Sequence, residues 1–487
     1  MSDIKKTVMT NWRWVMCAML FFATTVNYMD RQVLSLTFKE FIQPEFHWTD
    51  SDYGTITGVF SIAYAIFCLF AGKFIDWMGT KRGYLWAIVI WSLGAIMHAA
   101  CGLATTWFVD GVDSVAALRA VEAGSALAAT ISMVSVYLFL ACRLILGLGE
   151  AGNFPAAIKV TAEYFPKKDR AFATALFNAG ASVGALAAPA TIPLLAKAMG
   201  WEWAFIIIGA LGFVWAGIWI FVYDKPTESK HVNEAELAYI HQDEDAKEEL
   251  KVAQVMKDEK QMSFAEAFKH KQTWSFAFGK FMTDGVWWFF LFWAPAYFQD
   301  QFGIKASDPQ GIALIFTLYA IVTVVSLFGG YLPKIFVEKK GMEPYAGRMR
   351  AMLIFAFFPI FALFAQPLGG IYGPWAVAII IGIVGAAHQS WSANIFSTTG
   401  DMFPKSAVAT ITGIGAMAGG VGSFLINKGS GMLFTHADKM GEAFQFMGFS
   451  GKPAGYMIIF CICAVAYLIG WTVMKTLVPK YSPVVVK

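Results

Sequence analysis

The sequence predicts an all-α integral membrane protein: twelve transmembrane helices in two six-helix, pseudo-symmetric halves. Three observations predict it: a charge-poor composition, twelve apolar stretches of spanning length, and basic clusters in alternate connections. Of 487 residues, 57% are hydrophobic and 15% charged, against about 25% charged in soluble domains. The apolar stretches cover 14–38, 52–76, 83–105, 131–157, 171–197, 203–223, 274–299, 311–337, 349–367, 373–398, 406–434 and 454–477. Crossing a bilayer takes about 20 helical residues, whereas barrel strands need only about 10, so length decides for helix.

The Lys and Arg residues orient these spans. They gather at Lys5, Lys6 and Arg13; at Lys81 and Arg82; at Lys159, Lys167, Lys168 and Arg170; at Lys334, Lys339, Lys340, Arg348 and Arg350; and at Lys475 and Lys480. Positive residues stay in the cytoplasm, so both termini are expected there and the span count is even, in a multi-pass protein of the cell (inner) membrane. The polar N-terminus precedes an apolar run with no small-residue cleavage site, which reads as a retained helix and not a signal peptide. Of six cysteines, five lie inside apolar spans and Cys101 near the end of one. Neither a disulfide framework nor a zinc site is expected.

Span one carries the sharpest signal, Asn27-Tyr28-Met29-Asp30-Arg31 inside an apolar run. An ionised group at membrane depth costs roughly 2.5–3.5 kcal/mol on insertion scales and marks a substrate or ion path. Asn27, Tyr28 and Arg31 are spaced i, i+1, i+4 and can face one cavity, with Arg31 suited to an anion; Asp30 points about 100° round the helix, toward a neighbour. Span two ends in Gly72-Lys-Phe-Ile-Asp76-Trp-Met-Gly79-Thr-Lys81-Arg82. Gly72 would permit close helix packing, Gly79 a tight turn, and Asp76 a place at a helix N-terminus, where the dipole favours an anion. The segment 106–130, with Asp110, Asp113, Arg119 and Glu122, lies between two cytoplasmic basic clusters. An even span count requires it to be an extracytoplasmic insertion.

Span four reads Arg143-Leu-Ile-Leu-Gly147-Leu-Gly149-Glu150. Arg143, Gly147 and Glu150 share a face, yet seven residues separate the charges by about 10 Å, so they should serve different partners. Small residues there let a neighbouring helix approach. Residues 224–273 hold 8 Lys/Arg and 12 Asp/Glu. This is a cytoplasmic linker, partly helical around Glu234–Lys257, dividing residues 1–223 from 274–487. A degenerate copy of the span-two loop, Gly330-Tyr-Leu-Pro-Lys334, with Lys in place of the Asp, supports two homologous halves.

The Gly72, Asp76, Gly79, Lys81, Arg82 loop resembles the signature loop of the major facilitator superfamily, where it holds the cytoplasmic side closed in the outward-facing state. Asn-Tyr-x-Asp-Arg on span one, with Arg and Glu seven apart on span four, resembles the superfamily's anion:cation symporters. Phe281-Met-Thr-Asp284-Gly-Val-Trp287-Trp288 on span seven and Ala387-His388-Gln389-Ser390-Trp391-Ser-Ala-Asn394 on span ten look like bacterial hexuronate transporters. The 106–130 insertion departs from the usual compact loop, and Gly285 stands where Pro is expected. The resemblance implies a major facilitator fold and proton-coupled symport of a sugar acid such as galacturonate or glucuronate. Arg31 would grip the carboxylate; Asp30 and Glu150 would take up and release protons; Arg143 would pair with one of the acids. Tyr64 and Asn178 would hydrogen-bond substrate. Trp288 and Trp391 suit a sugar's C–H faces, and Gln389 and Asn394 its hydroxyls. His388 is expected as a buried, hydrogen-bonded histidine, and Lys280–Asp284 as a local i, i+4 ion pair.

No Gly-x4-Gly-Lys-Ser/Thr loop is present, so an ion gradient and not ATP is the expected energy source, and no His-Glu-x-x-His motif argues for a metalloenzyme. The expectation is a transporter and not an enzyme, a monomer without cofactor, metal or nucleic-acid partner. Rival readings are another cargo (an aldonate, an aldarate or an aromatic acid) and a sugar-acid sensor that moves nothing.

Overall fold

The structure, a computed structural model, describes residues 8–242, 262–329 and 331–484. Twelve long helices dominate it: α1 (Trp12–Thr37), α2 (Asp50–Met78), α3 (Thr80–Met97), α4 (Ala126–Glu150), α5 (Lys167–Met199), α6 (Trp201–Val222), α7 (Lys271–Phe302), α8 (Pro309–Gly329), α9 (Pro344–Phe357), α10 (Pro374–Met402), α11 (Lys405–Met440) and α12 (Lys452–Leu477). Ten helical stretches among the described residues are long and apolar enough to cross a membrane on composition alone. The other two long helices are α1 and α7, which carry Asp30–Arg31 and Lys280–Asp284. At about 1.5 Å per residue both exceed a ~30 Å hydrocarbon core.

Helix ends follow local chemistry. Thr49 caps α2 in a reciprocal box with Asp52, and Ser125 caps α4. Span four is not one helix: α4 stops at Glu150, and after Ala151 and Gly152 a second helix, Asn153–Tyr164, carries the chain on. Between α3 and α4 the chain extends as helix to Phe108, then makes only a short helix, Val115–Ala120. Leu118 of that helix is fully buried, its carbonyl 2.8 Å from His47 Nε2, and Arg119 donates to the Phe41 carbonyl at 3.1 Å. The insertion thus packs on the chain that follows α1 and adds no span.

The connection after α6 touches one chain end and the start of α7 the other. Asn233 donates to the Val8 carbonyl, and Gln272 to the Ser482 carbonyl. Both ends and this connection share one face, the terminal face; the opposite one is the far face. A helix is present over Glu234–Ile240 and ends there; the rest of the expected helical stretch, from 243 toward Lys257, lies outside the described residues. Glu236 anchors it by accepting from the Trp12 and Arg13 amides at 2.9 and 3.0 Å and pairing with Arg13 at 3.1 Å.

The first six spans meet the last six chiefly along α2 and α11, with α1 against α7 and α5 against α8. Gly54 makes the α2–α11 approach possible: a Cβ there would lie 2.5 Å from the Asn427 carbonyl oxygen. At the far face four charges join the two sets, Lys39 and Asp50 buried and Asp300 and Lys452 half-buried. Lys39 Nζ lies 2.7 Å from Asp50 and 3.1 Å from Asp300, and Lys452 Nζ lies 2.6 Å from Asp50 and 3.5 Å from Asp300. Tyr456 donates to Asp300, and Ser307 to Glu40. Every ion pair joining the two sets among the described residues lies at this face. Those at the terminal face, such as Asp76–Lys159 and Arg348–Asp401, stay within one set.

Candidate functional site

Midway along the interface, α1, α2, α4 and α7 converge on Arg31. Its Nε and Nη2 both donate to Glu150 Oε2, at 3.1 and 2.8 Å. Three rings surround the guanidinium, with centroids 4.6 Å (Tyr64), 5.2 Å (Trp288) and 5.4 Å (Tyr28) from its carbon. Cation–π contacts of this kind are worth up to about 2 kcal/mol when desolvated, offsetting part of the cost of burying the charge. Phe60, one helical turn from Tyr64 on α2, faces Trp288 and stacks under Arg143, 5.2 Å from that guanidinium.

Asp30 addresses the neighbouring helix α3, where Trp91 Nε1 donates to it at 2.9 Å. Arg143 and Glu150 serve different partners, as their separation requires. The expected pairing of Arg143 with an acid is not made: it has no ion pair within 4.0 Å among the described residues, and its Nη1 is buried without a partner. Gly149 brings α3 and α4 together, since a Cβ there would lie 2.3 Å from the Trp91 amide nitrogen.

Buried polar atoms without a protein partner collect here. They include both side-chain atoms of Asn27, Asp30 Oδ1, Arg143 Nη1 and Glu150 Oε1. Natural proteins satisfy nearly all buried polar groups, so such a concentration marks a place for a polar ligand, ion or water.

The other expected residues are distributed unevenly. Trp288 reaches across to Arg31, as above. Gln389 is half-buried on α10, with no hydrogen bond tying it to the cluster. Trp391 is fully buried edge-on to Tyr467 of α12, 5.5 Å between centroids. Asn394 bonds its own helix at the Ser390 carbonyl and lines a separate cavity of about 360 Å³ with Lys334 and Arg348. Asn178 is exposed on α5. The structure therefore joins none of Asn178, Trp391 and Asn394 to the Arg31 group. His388 is buried with Nδ1 2.7 Å from the Tyr467 hydroxyl, and Lys280–Asp284 is an ion pair of 2.7 Å, both as expected.

In the signature loop Gly79 turns with φ +78°. Asp76 pairs with Lys159 at 2.7 Å and not with a helix N-terminus, and Lys81 pairs with Asp224 at 2.7 Å. Arg82 is exposed. Gly72 departs from expectation, with nothing within 4 Å of where its Cβ would stand; the close approach is made instead by Gly83, beside Ile75. In the degenerate copy, Gly330 lies outside the described residues, and among the described residues Lys334 pairs only with Glu338, at 3.7 Å. Two contributors escaped the sequence reading. Phe60 was within reach of it, being i, i+4 from Tyr64; Trp91 carried no signal among 18 tryptophans.

Residues 20–426 match the family model described as Major Facilitator Superfamily. The chain belongs to that superfamily. It is 27% identical over 467 residues to a hexuronate transporter of Escherichia coli (strain K12), covering 95% of this chain and 94% of that one. It is 28% identical over 324 residues to a galacturonate transporter of Dickeya chrysanthemi, covering 66% of this chain and 82% of that one. The fold matches a crystal structure of a bacterial homolog to the human lysosomal transporter Spinster, inward-facing and unoccupied. The TM-score is 0.68 at 17% identity, covering 97% of this chain and 99% of that one. This superfamily member thus has the major facilitator fold, and its named relatives are transporters and not enzymes.

Proposed function

We propose that this major facilitator protein is a secondary active transporter that carries a hexuronate, such as galacturonate or glucuronate, into the cell together with protons. The observation that carries the reading is the Arg31–Glu150 pair set among orphaned polar atoms. The hexuronate and galacturonate relatives supply the cargo class.

The terminal face, with its alternating basic clusters, is assigned to the cytoplasm. The far face, locked by Lys39, Asp50, Asp300 and Lys452, is then the outer side, closed in an inward-facing state. When the outer side opens, protons load Glu150, Asp30 or both. A neutral Glu150 no longer holds Arg31, whose fork then takes the substrate carboxylate in two parallel hydrogen bonds. Arg143, with a free N–H, stabilises the ionised acids when the protons leave. Tyr28, Tyr64 and Trp288 face the sugar ring, and Asn27 offers it an amide. The two halves rock about this site, substrate and protons leave to the cytoplasm, and Glu150 recaptures Arg31. One proton per monoanion is electroneutral, and each unit of ΔpH contributes about 1.4 kcal/mol, near tenfold accumulation.

The test is uptake of labelled galacturonate into proteoliposomes, with and without an inward proton gradient. Accumulation that a protonophore abolishes, and that glucuronate competes away better than galactonate or galactarate, supports the reading. Accumulation of galactonate or galactarate in preference moves the cargo to an aldonate or aldarate. Accumulation indifferent to ΔpH removes proton coupling.

A further inference from the structure

A second buried cation–acid pair sits at span depth, and the cycle above does not use it. Lys280 and Asp284 of α7 meet at 2.7 Å with side chains only 6% and 15% exposed. Lys280 Nζ lies 4.3 Å from the Phe396 ring of α10. On α11, Gly419 leaves room for Asp284: a Cβ there would lie 2.2 Å from Oδ2. On a solvated helix an i, i+4 pair is a minor ornament. At membrane depth two ionised groups are expensive and face a path for charge.

Their placement names the path. Lys280, Asp284 and Trp288 are i, i+4, i+8 and form one stripe of α7. Trp288 touches the site, 5.2 Å from the Arg31 guanidinium. Each step down the stripe is about 6 Å along the helix axis. Because α7 starts at the terminal face, Asp284 and then Lys280 lie below Trp288 on the side away from the far-face charge cluster. An anion leaving Arg31 toward the terminal face meets this pair next.

Resting on the sugar-acid reading, we propose that Lys280 is a second carboxylate site on the exit route, released for binding when Asp284 is protonated. Glu150 gives up its proton as it recaptures Arg31, and Asp284 takes one up as it lets Lys280 go. Lys280 holds the departing carboxylate. When the anion enters the cytoplasm, Asp284 loses the proton to water and the pair re-forms. Charge and protons balance at each step. Other titratable groups facing the pair are His388 of α10 and Tyr467 of α12, already joined to each other at 2.7 Å. From α11, Gly415, Gly419, Gly422 and Ile426 face this stretch of α7, none of them titratable. No other acid lies within 4.0 Å of Lys280 among the described residues.

The experiment compares the parent with Asp284→Asn and with the charge-balanced double variant Lys280→Gln/Asp284→Asn, each reconstituted as the full chain. Exit of labelled galacturonate is followed against the pH on the terminal side. The parent's exit rate should change with that pH, approaching about tenfold per unit where one proton controls the step. In both variants counterflow should be slowed but measurable, and the pH dependence lost. A folded variant with the parent's pH dependence overturns the proposal. So does failure of both variants to fold, which would make the pair a strut. A parent that does not move galacturonate refutes the cargo and not the pair. The pair is then judged by the pH-induced infrared difference spectrum of the purified protein. One protonated-carboxyl band should vanish in Asp284→Asn, and an unchanged spectrum overturns the proposal.

Discussion

At the scale of the residue, the proposed cycle is a competition between two carboxylates for one guanidinium. Glu150 occupies two N–H groups of Arg31 through a single oxygen, so a substrate carboxylate must displace it. Glu150→Gln mimics the protonated acid. It should keep galacturonate counterflow while proton-driven accumulation falls to equilibration, measured as uptake with and without ΔpH. Undiminished accumulation would take Glu150 out of the coupling role. Arg31→Ala should raise the half-saturating galacturonate concentration at least about a hundredfold, since a charged hydrogen-bonded pair is worth roughly 3 kcal/mol. Affinity kept within a few fold would relocate the carboxylate. The residues of this competition were legible in the sequence because charge inside an apolar run is costly and helical spacing assigns it a face. Their pairing was not, since Arg31 and Glu150 are 119 residues apart. Trp391 shows the limit from the other side: aromatic richness alone cannot separate a sugar platform from core packing against Tyr467.

At the scale of the element, apolar length located a long helix in each of the twelve stretches, because hydrocarbon thickness fixes how much chain must be apolar; the ends were less legible, α3 stopping at Met97 and α9 at Phe357, well short of where the apolar stretches end. The break after Glu150 was hidden, since the chain beyond it carries no charge from Ala151 to Ile158. Gly149 is the element-scale constraint most exposed to test. A side chain there would collide with the α3 backbone, and backbone cannot step aside as a flexible side chain can. Gly149→Val should therefore lower the yield of monodisperse protein and its thermal midpoint sharply, whereas Gly72→Val, pointing into open space, should change neither by much.

The short helix after α1 (Gln43–Phe46) offers a pH-dependent test. Burial pushes the Glu45 carboxyl up from its ordinary 4.5 to about 7, against the bond from Trp201 and with help from nearby Glu202. The folded chain thus holds a proton that the unfolded chain has lost between those values. Stability must fall as pH rises through that window, with the full cost, on the order of 3 kcal/mol, present above about pH 7. Glu45→Gln should raise the thermal midpoint at about pH 8 and leave it unchanged near pH 4, where both forms are neutral. An equal gain at both values would assign the effect to packing.

At the scale of the whole molecule, the proposed cycle has the far-face charge cluster set which side of the carrier is shut. Its members come from the chain after α1 and from α2, α7 and α12, and in sequence each looked like an ordinary charge at the end of a span. Only the assembled fold brings Lys39, Asp50, Asp300 and Lys452 together, which is why this latch was not legible. Each lysine touches both aspartates, so removing one carboxylate leaves two cations facing a single acid. Breaking a buried charge pair from one side costs roughly 3–5 kcal/mol, and that cost falls on the closed state alone. Asp300→Asn should then move the closed-to-open ratio of the far face by about a hundredfold or more. Spin labels on Asp113→Cys and Gln445→Cys, exposed far-face positions in the two sets of helices, report it once the six native cysteines are replaced. A longer-distance population should grow in Asp300→Asn by double electron–electron resonance, and shrink again on adding Lys39→Met, which restores neutrality. An unchanged distance distribution would reduce the cluster to a surface tie and place the closing force in the α2–α11 glycine contacts instead.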